Sequence, residues 1–161
     1  MPQTAPSNPG GGPAQPRLPR TYHRSRGRRV GNAIVSVLVL AGVMPGTYML
    51  TTRGRTTGVL RSSPVTIVER DGRRWLVAPY GPVSWVLNAR AAGRVTLRRR
   101  RQTLAYAIRE VTAEEAGPVL KQYIGIAKVT RPYFQATPDA SVAEFIAEAD
   151  RHPVFELTPS Q

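Results

Sequence analysis

The dipeptide Asp71-Gly72 stands between PVTIVE (64–69) and WLVA (75–78). Asp-Gly flanked by apolar, β-branched runs is a strong short-range signal for a two-residue hairpin turn. It fixes an antiparallel pair near the middle of the chain. A chain that starts its core this way needs more strands, because an isolated hairpin is marginal in water.

More strands are legible. Thr47 to Thr52 is β-branched and aromatic. Arg94 to Arg101 places Val95 and Leu97 on one face, and Gln102 to Val111 returns with Leu104, Tyr106 and Ile108 on one face. Pro82 to Ala92 reads as a short helix, with Trp85, Val86 and Ala89 at helical spacing and Gly93 as its stop. Thr112-Ala-Glu-Glu115 is a capping box that opens a helix to about Tyr123. Ser141-Val-Ala-Glu144 is a second, opening a helix to about Asp150. Residues 125–139 read as irregular and carry Tyr133 and Phe134, and Pro153 to Thr158 is a last strand. No internal repeat is present. The order predicts a mainly β, α+β domain: a small barrel with helices on its outside. The 161 residues suffice for one such domain with a real core.

The N-terminal part differs in composition. Residues 1–29 are rich in Pro, Gly and Arg, with little to bury, and are expected to be a disordered basic tail. Residues 30–44, VGNAIVSVLVLAGVM, are the most apolar stretch, ended by Pro45-Gly46. A spanning helix needs about 20 apolar residues, so this run is short for one. It also resembles a secretory signal, but no cleavage site with a polar start behind it is evident. The expectation is an N-terminal helix that packs on the domain or lies on a membrane face. Residues 30–161 then form the domain.

Composition narrows the chemistry. With no cysteine, disulfides, thiolate metal sites and cysteine nucleophiles are excluded. His23 and His152 are the only histidines, so no metal site is expected. The net charge of +13 is carried almost wholly by arginine and suits nucleic acid, anionic lipid or an anionic cofactor. Nucleic acid would want exposed aromatics interleaved with the Arg98–Arg101 run, and only Tyr106 is near. No nucleic-acid partner is expected.

The most informative stretch is TTRGRTTGVLRSSPV, residues 51–65. Gly54 and Gly58 bracket Arg55-Thr56-Thr57. Glycines allow tight turns that present backbone N–H groups, and guanidinium and hydroxyl groups add donors, so the stretch suits a phosphate or carboxylate. A basic hairpin turn on a solvated face has the same composition. The spacing fits neither a Walker loop nor a GxGxxG fingerprint.

LTTRGRTTGVLRSSPV, the Asp-Gly hairpin, Trp85-x-x-Asn88, RAAGRVTLRRRR and HPVFEL together resemble the deazaflavin-dependent nitroreductase and quinone reductase family, over roughly residues 30–159. These are actinobacterial split β-barrel proteins, FMN-binding-protein-like in fold. The resemblance implies that Arg55, Thr56, Thr57, Gly58, Arg61, Ser63 and Pro64, with Arg53 beside them, hold the phosphate and acidic tail of coenzyme F420, the 8-hydroxy-5-deazaflavin. It implies that Ala78, Tyr80 and Gly81 of the loop after WLVA, with Trp85 and Asn88, complete the pocket. Relatives often carry Gly-Arg-Lys-Thr-Gly, whereas this chain has Thr56 in the lysine position, which removes one charge. The loop before Trp85 is also shorter.

The implied reaction is hydride transfer from the reduced coenzyme to a quinone, a nitro compound or another activated double bond. The protein's share is to hold two flat rings and exclude water. Tyr80, Tyr133 or water could donate the accompanying proton. Tyr133-Phe134 would suit a substrate-facing lid, and His152 would cap the helix before it. Two other readings stay open: a non-catalytic binder of the coenzyme or a lipid on the same fold, and an FMN-dependent enzyme. A cytoplasmic protein in peripheral contact with the anionic inner face of the membrane is expected, since quinones reside there. The oligomeric state is not legible.

Overall fold

The computed structural model describes residues 45–160. The expected tail at 1–29 and the apolar segment at 30–44 lie outside them. Six strands close into an antiparallel barrel: β1 (Thr47–Arg53), β2 (Leu60–Arg70), β3 (Arg73–Val77), β4 (Arg94–Arg99), β5 (Gln102–Glu110) and β6 (Val154–Pro159), in the spatial order β1-β2-β3-β6-β5-β4. Closure comes from β1 against β4, with Leu50 opposite Leu97. Asp71 and Gly72 both take positive φ, 53° and 71°, and join β2 to β3 as the dipeptide predicts.

Alternation decides which side chains fill the barrel. Leu50, Ile67, Leu76, Val95, Leu97, Phe155 and Leu157 point inward and are buried. Helix α1 (Ser84–Ala92) adds Val86 and Ala89 to that core. Gly93, at φ 64°, ends α1 in the left-handed conformation, and its N–H bonds to the Ala89 carbonyl. On β3 both faces are buried. Leu76 faces the barrel core, while Trp75 and Val77 meet a second apolar cluster outside it. That is why this strand reads as an unbroken apolar run.

The second cluster is roofed by α2 (Ala113–Ile126) and α3 (Val142–Ala147). Thr112 and Glu115 form the expected capping box, and the helix runs three residues past Tyr123. Gly117 sets the approach of the two helices. A Cβ there would lie 2.5 Å from the Ile146 side chain and 3.3 Å from the Val142 carbonyl. The segment expected to be irregular contains a 3-10 helix, Lys128–Tyr133.

Candidate active site

The arginine stretch is divided between two strands and their turn. β1 ends at Arg53, residues 54–59 turn, and β2 begins at Leu60. The turn is closed by Gly54 N–H to the Val59 carbonyl at 2.8 Å and Gly58 N–H to the Gly54 carbonyl at 2.7 Å. Arg55, Thr56 and Thr57 are left exposed at its tip.

One side chain ties this tip to the barrel. Asn88 of α1 is buried, and its Oδ1 accepts from the Arg55 backbone N–H at 3.1 Å and from the Arg55 guanidinium at 3.4 Å. Its Nδ2 reaches the buried Thr52 Oγ1 at 3.5 Å. A buried amide spends both ends here, as burial requires. The result is an arginine anchored at its backbone while most of its guanidinium stays open to a ligand.

Beside this tether lies a cleft of about 240 Å³. Leu60, Arg61, Ser62 and Ser63 of β2 form one side, and Ser84, Trp85 and Asn88 of α1 the other, with Thr52 of β1 between them. None of these residues is acidic. Helix α1 starts at the cleft with no side-chain cap at Val83 and no acidic residue in its first turn. Its first N–H groups and the positive end of its dipole are therefore offered to a ligand. An arginine, three serines and an uncapped helix start form a donor set without a carboxylate to compete, which suits an anion.

Of the residues expected from the resemblance, Arg61, Ser63, Trp85 and Asn88 meet in this cleft, with Arg55 bound to one of them. Arg53 ends β1, Thr56, Thr57 and Gly58 belong to the turn beside the cleft, and Pro64 follows Ser63 on β2. Trp85 is half-buried and tilted against Phe155 at 6.2 Å, so it is both wall and core. Thr52, Ser62 and Ser84 were not anticipated. Serine at the first position of an uncapped helix was the one signal for Ser84.

The loop after β3 lies apart from the cleft lining. Ala78 is wholly buried in the barrel core, and its N–H bonds to the Pro153 carbonyl. Gly81 takes φ 80°. Tyr80 and Tyr133 meet edge to face, ring centroids 4.7 Å apart, and Tyr133 packs against the outer cluster. Phe134 is no lid residue, because it is buried and stacked on His152 at 3.9 Å. The His152 ring does not cap the preceding helix either. Its Nδ1 lies 3.0 Å from the Pro79 carbonyl, so the ring fixes the loop that carries Tyr80. Burial holds its pKa below the ordinary value against the pull of Glu148, whose Oε2 lies 3.5 Å from Nε2. A carbonyl oxygen only accepts, so Nδ1 is the donor in this contact. Glu148 spends its carboxylate on the backbone N–H groups of Gln135 and Ala136.

A family model described as F420H(2)-dependent quinone reductase matches residues 17–138. The chain belongs to that family. It is an oxidoreductase that draws its hydride from the reduced deazaflavin coenzyme F420. Among solved structures, an F420-H2 dependent reductase (FDR-A) is 26% identical, covering 71% of this chain and 95% of its own, with a TM-score of 0.49. A domain-swapped dimer is also 26% identical, covering 81% and 96%, with a TM-score of 0.51. The heme storage protein HutZ from Vibrio cholerae is 14% identical, covering 72% and 82%, with a TM-score of 0.51, a likeness of fold alone. No curated protein matches the chain. Among the described residues no helix is long and apolar enough to cross a membrane.

Proposed function

We propose that the cleft between β2 and α1 holds the anionic part of coenzyme F420 and that the physiological acceptor is a membrane quinone. The volume of about 240 Å³ is below that of a whole-ligand pocket, so the cleft takes a phosphoester and its neighbouring chain. Arg61 and the start of α1 pair with the phosphate, and Ser62, Ser63 and Ser84 supply neutral donors. Arg55, tethered by Asn88, meets the acidic tail at the mouth. Trp85 walls the adjoining ring. Bound in this way, the reduced deazaflavin supplies a hydride to an electron-poor double bond.

The remaining residues manage geometry and protons. Of the loop residues expected in the coenzyme pocket, the half-buried Tyr80 borders the bound rings, while Ala78 and Gly81 are buried and, with His152 on the Pro79 carbonyl, keep the loop in place. Tyr80 or Tyr133, or a water, gives the proton that accompanies the hydride, and quinone becomes hydroquinone. Nitro compounds and other activated double bonds are acceptors of the same electronic kind. The functional domain comprises residues 30–161, with 1–29 as a basic tail, and works at the inner face of the cell membrane in the cytoplasm.

The observation that carries this reading is the Asn88-tethered arginine beside Arg61 and an uncapped helix start, with no acidic residue in the cleft. Its test is a fluorescence titration with the oxidised coenzyme. Wild type should bind saturably, and Arg55→Ala and Arg61→Ala should each weaken binding about tenfold, the loss of a charge-assisted hydrogen bond. Equal affinity of folded wild type and both variants would refute the assignment. Co-purification of a cofactor identified by mass as FMN would point to FMN instead.

A further inference from the structure

A second cavity, of about 670 Å³, opens at the opposite end of the barrel from the 54–59 turn. The strand register places it there. β1 runs from Tyr48 at this end to Arg53 at the turn, and β4 runs back so that Arg98 pairs with Met49. The β4–β5 turn, Arg100-Arg101, forms its rim, and Leu97 and Tyr106 connect it to the barrel core.

Its chemistry is that of an anion site with apolar walls. Arg74, Arg99, Arg100 and Arg101 all line it, and no acidic residue does. The Arg74 guanidinium donates to the Tyr106 hydroxyl at 2.6 Å, and its Nε is already paired with Glu69 at 3.1 Å, so the rim arginines carry the charge offered to a ligand. Arg99 sits 5.5 Å from the Tyr48 ring centroid, and its Nε is buried with no hydrogen bond among the described residues. A buried guanidinium N–H without a partner is costly and points to a missing acceptor. Arg100 takes φ 54°, a strained conformation for a non-glycine residue, so the turn that gathers these charges is held at a cost. Leu104 beside them is half-exposed.

We infer that this cavity binds the phosphodiester headgroup of an anionic lipid, with the start of its apolar chains against Leu104 and the tyrosine rings. Arginine matches phosphate oxygens two at a time, and the volume suits a ligand of that size. The sequence immediately before β1, Ala33 to Met44, is itself apolar, which suits a barrel end that faces a bilayer. The inference deepens the membrane-contact reading, and it is independent of the coenzyme cleft.

The test is an NMR titration of the full chain, without coenzyme, with dihexanoyl-phosphatidylglycerol, a soluble short-chain anionic lipid. The Leu97 and Leu104 methyls and the Gln102 side-chain amide should shift saturably. Arg99→Gln should raise the Kd about fivefold, the effect expected of one arginine near an anionic headgroup. Arg101→Gln, on the exposed rim, gives the same reading if Arg99→Gln fails to fold. Arg94→Gln removes an equal charge at the other end of the barrel and should change the Kd less than twofold. The same shifts with glycerol 3-phosphate alone would replace the lipid by a free organic phosphate. No shifts, or equal shifts with dihexanoyl-phosphatidylcholine, would overturn the proposal. So would ligand-free contacts from Leu104 to residues 33–44, which would mean that the chain covers its own cavity. Because the lipid is soluble, these outcomes do not depend on whether the protein reaches a membrane.

Discussion

Asn88→Ala tests whether the buried amide positions Arg55. The substitution removes the acceptor for the Arg55 N–H at 3.1 Å and guanidinium at 3.4 Å, and the weaker contact to Thr52 at 3.5 Å. Arg55 is exposed and can turn to water, so its loss is one net hydrogen bond, about 1 kcal/mol. The emptied amide volume, at a position only 4% exposed, adds a comparable amount. The sum is about 2 kcal/mol, a fall in Tm of roughly 8 °C for a domain of this size. Coenzyme affinity should also fall, roughly tenfold, because the turn must then be ordered on binding. Asn88→Asp separates tether from ligand site. It keeps the oxygens that hold Arg55, so its Tm should lie above that of Asn88→Ala. Its carboxylate, however, repels a bound phosphate by about 3 kcal/mol at roughly 5 Å and an effective dielectric constant of 20, more than a hundredfold in Kd. Calorimetry gives Tm and the fluorescence titration gives Kd. An Asn88→Ala protein with unchanged Tm and Kd, or an Asn88→Asp protein that binds like wild type, would refute the reasoning.

Thr56→Lys restores the charge that the resembled family pattern carries at the exposed turn, and should tighten coenzyme binding up to about fivefold at low salt. The gain should vanish at high salt, when the titration is repeated there. His152 gives a pH signature. Its folded pKa lies below the unfolded value, chiefly through burial, so the unfolded chain takes the proton first on acidification. Stability present above about pH 6.5 should be lost as the pH falls through the folded value, and His152→Gln should flatten that step in Tm between about pH 7 and pH 5. Gly93→Ala meets nothing within 4 Å, so only the strain of φ 64° opposes it. It should cost about 1 kcal/mol by denaturant unfolding, with coenzyme affinity unchanged.

Much of the barrel was legible because its strands alternate or join through short turns. Asp71-Gly72, the Thr112 capping box and the Gly93 stop each act locally, and each stands where the sequence put it. The first four residues of β2 were not legible. Leu60 to Ser63 has no apolar alternation, and those residues are strand because they pair with Leu50 to Arg53. The closing pairs, β1 with β4 and β3 with β6, are equally long-range and leave no mark in local sequence. The same holds at the cleft. Arg55 and Arg61 announce an anion by composition, whereas Thr52 and Ser84 become lining residues only when the barrel closes. Tyr80 and Tyr133 were legible as candidate proton donors but not as packing partners, because edge-to-face contact across 53 residues of sequence depends on how α2 and α3 roof the sheet.

The proposed hydride path starts from coenzyme held at Arg61. Its most direct test is anaerobic oxidation of the reduced coenzyme by menadione, followed as recovery of oxidised-coenzyme absorbance with wild type and Arg61→Ala. Wild type should show quinone-dependent turnover, and a folded Arg61→Ala protein should show a KM for the coenzyme raised about tenfold. Absence of turnover by wild type, or an Arg61→Ala enzyme with wild-type KM, would contradict it.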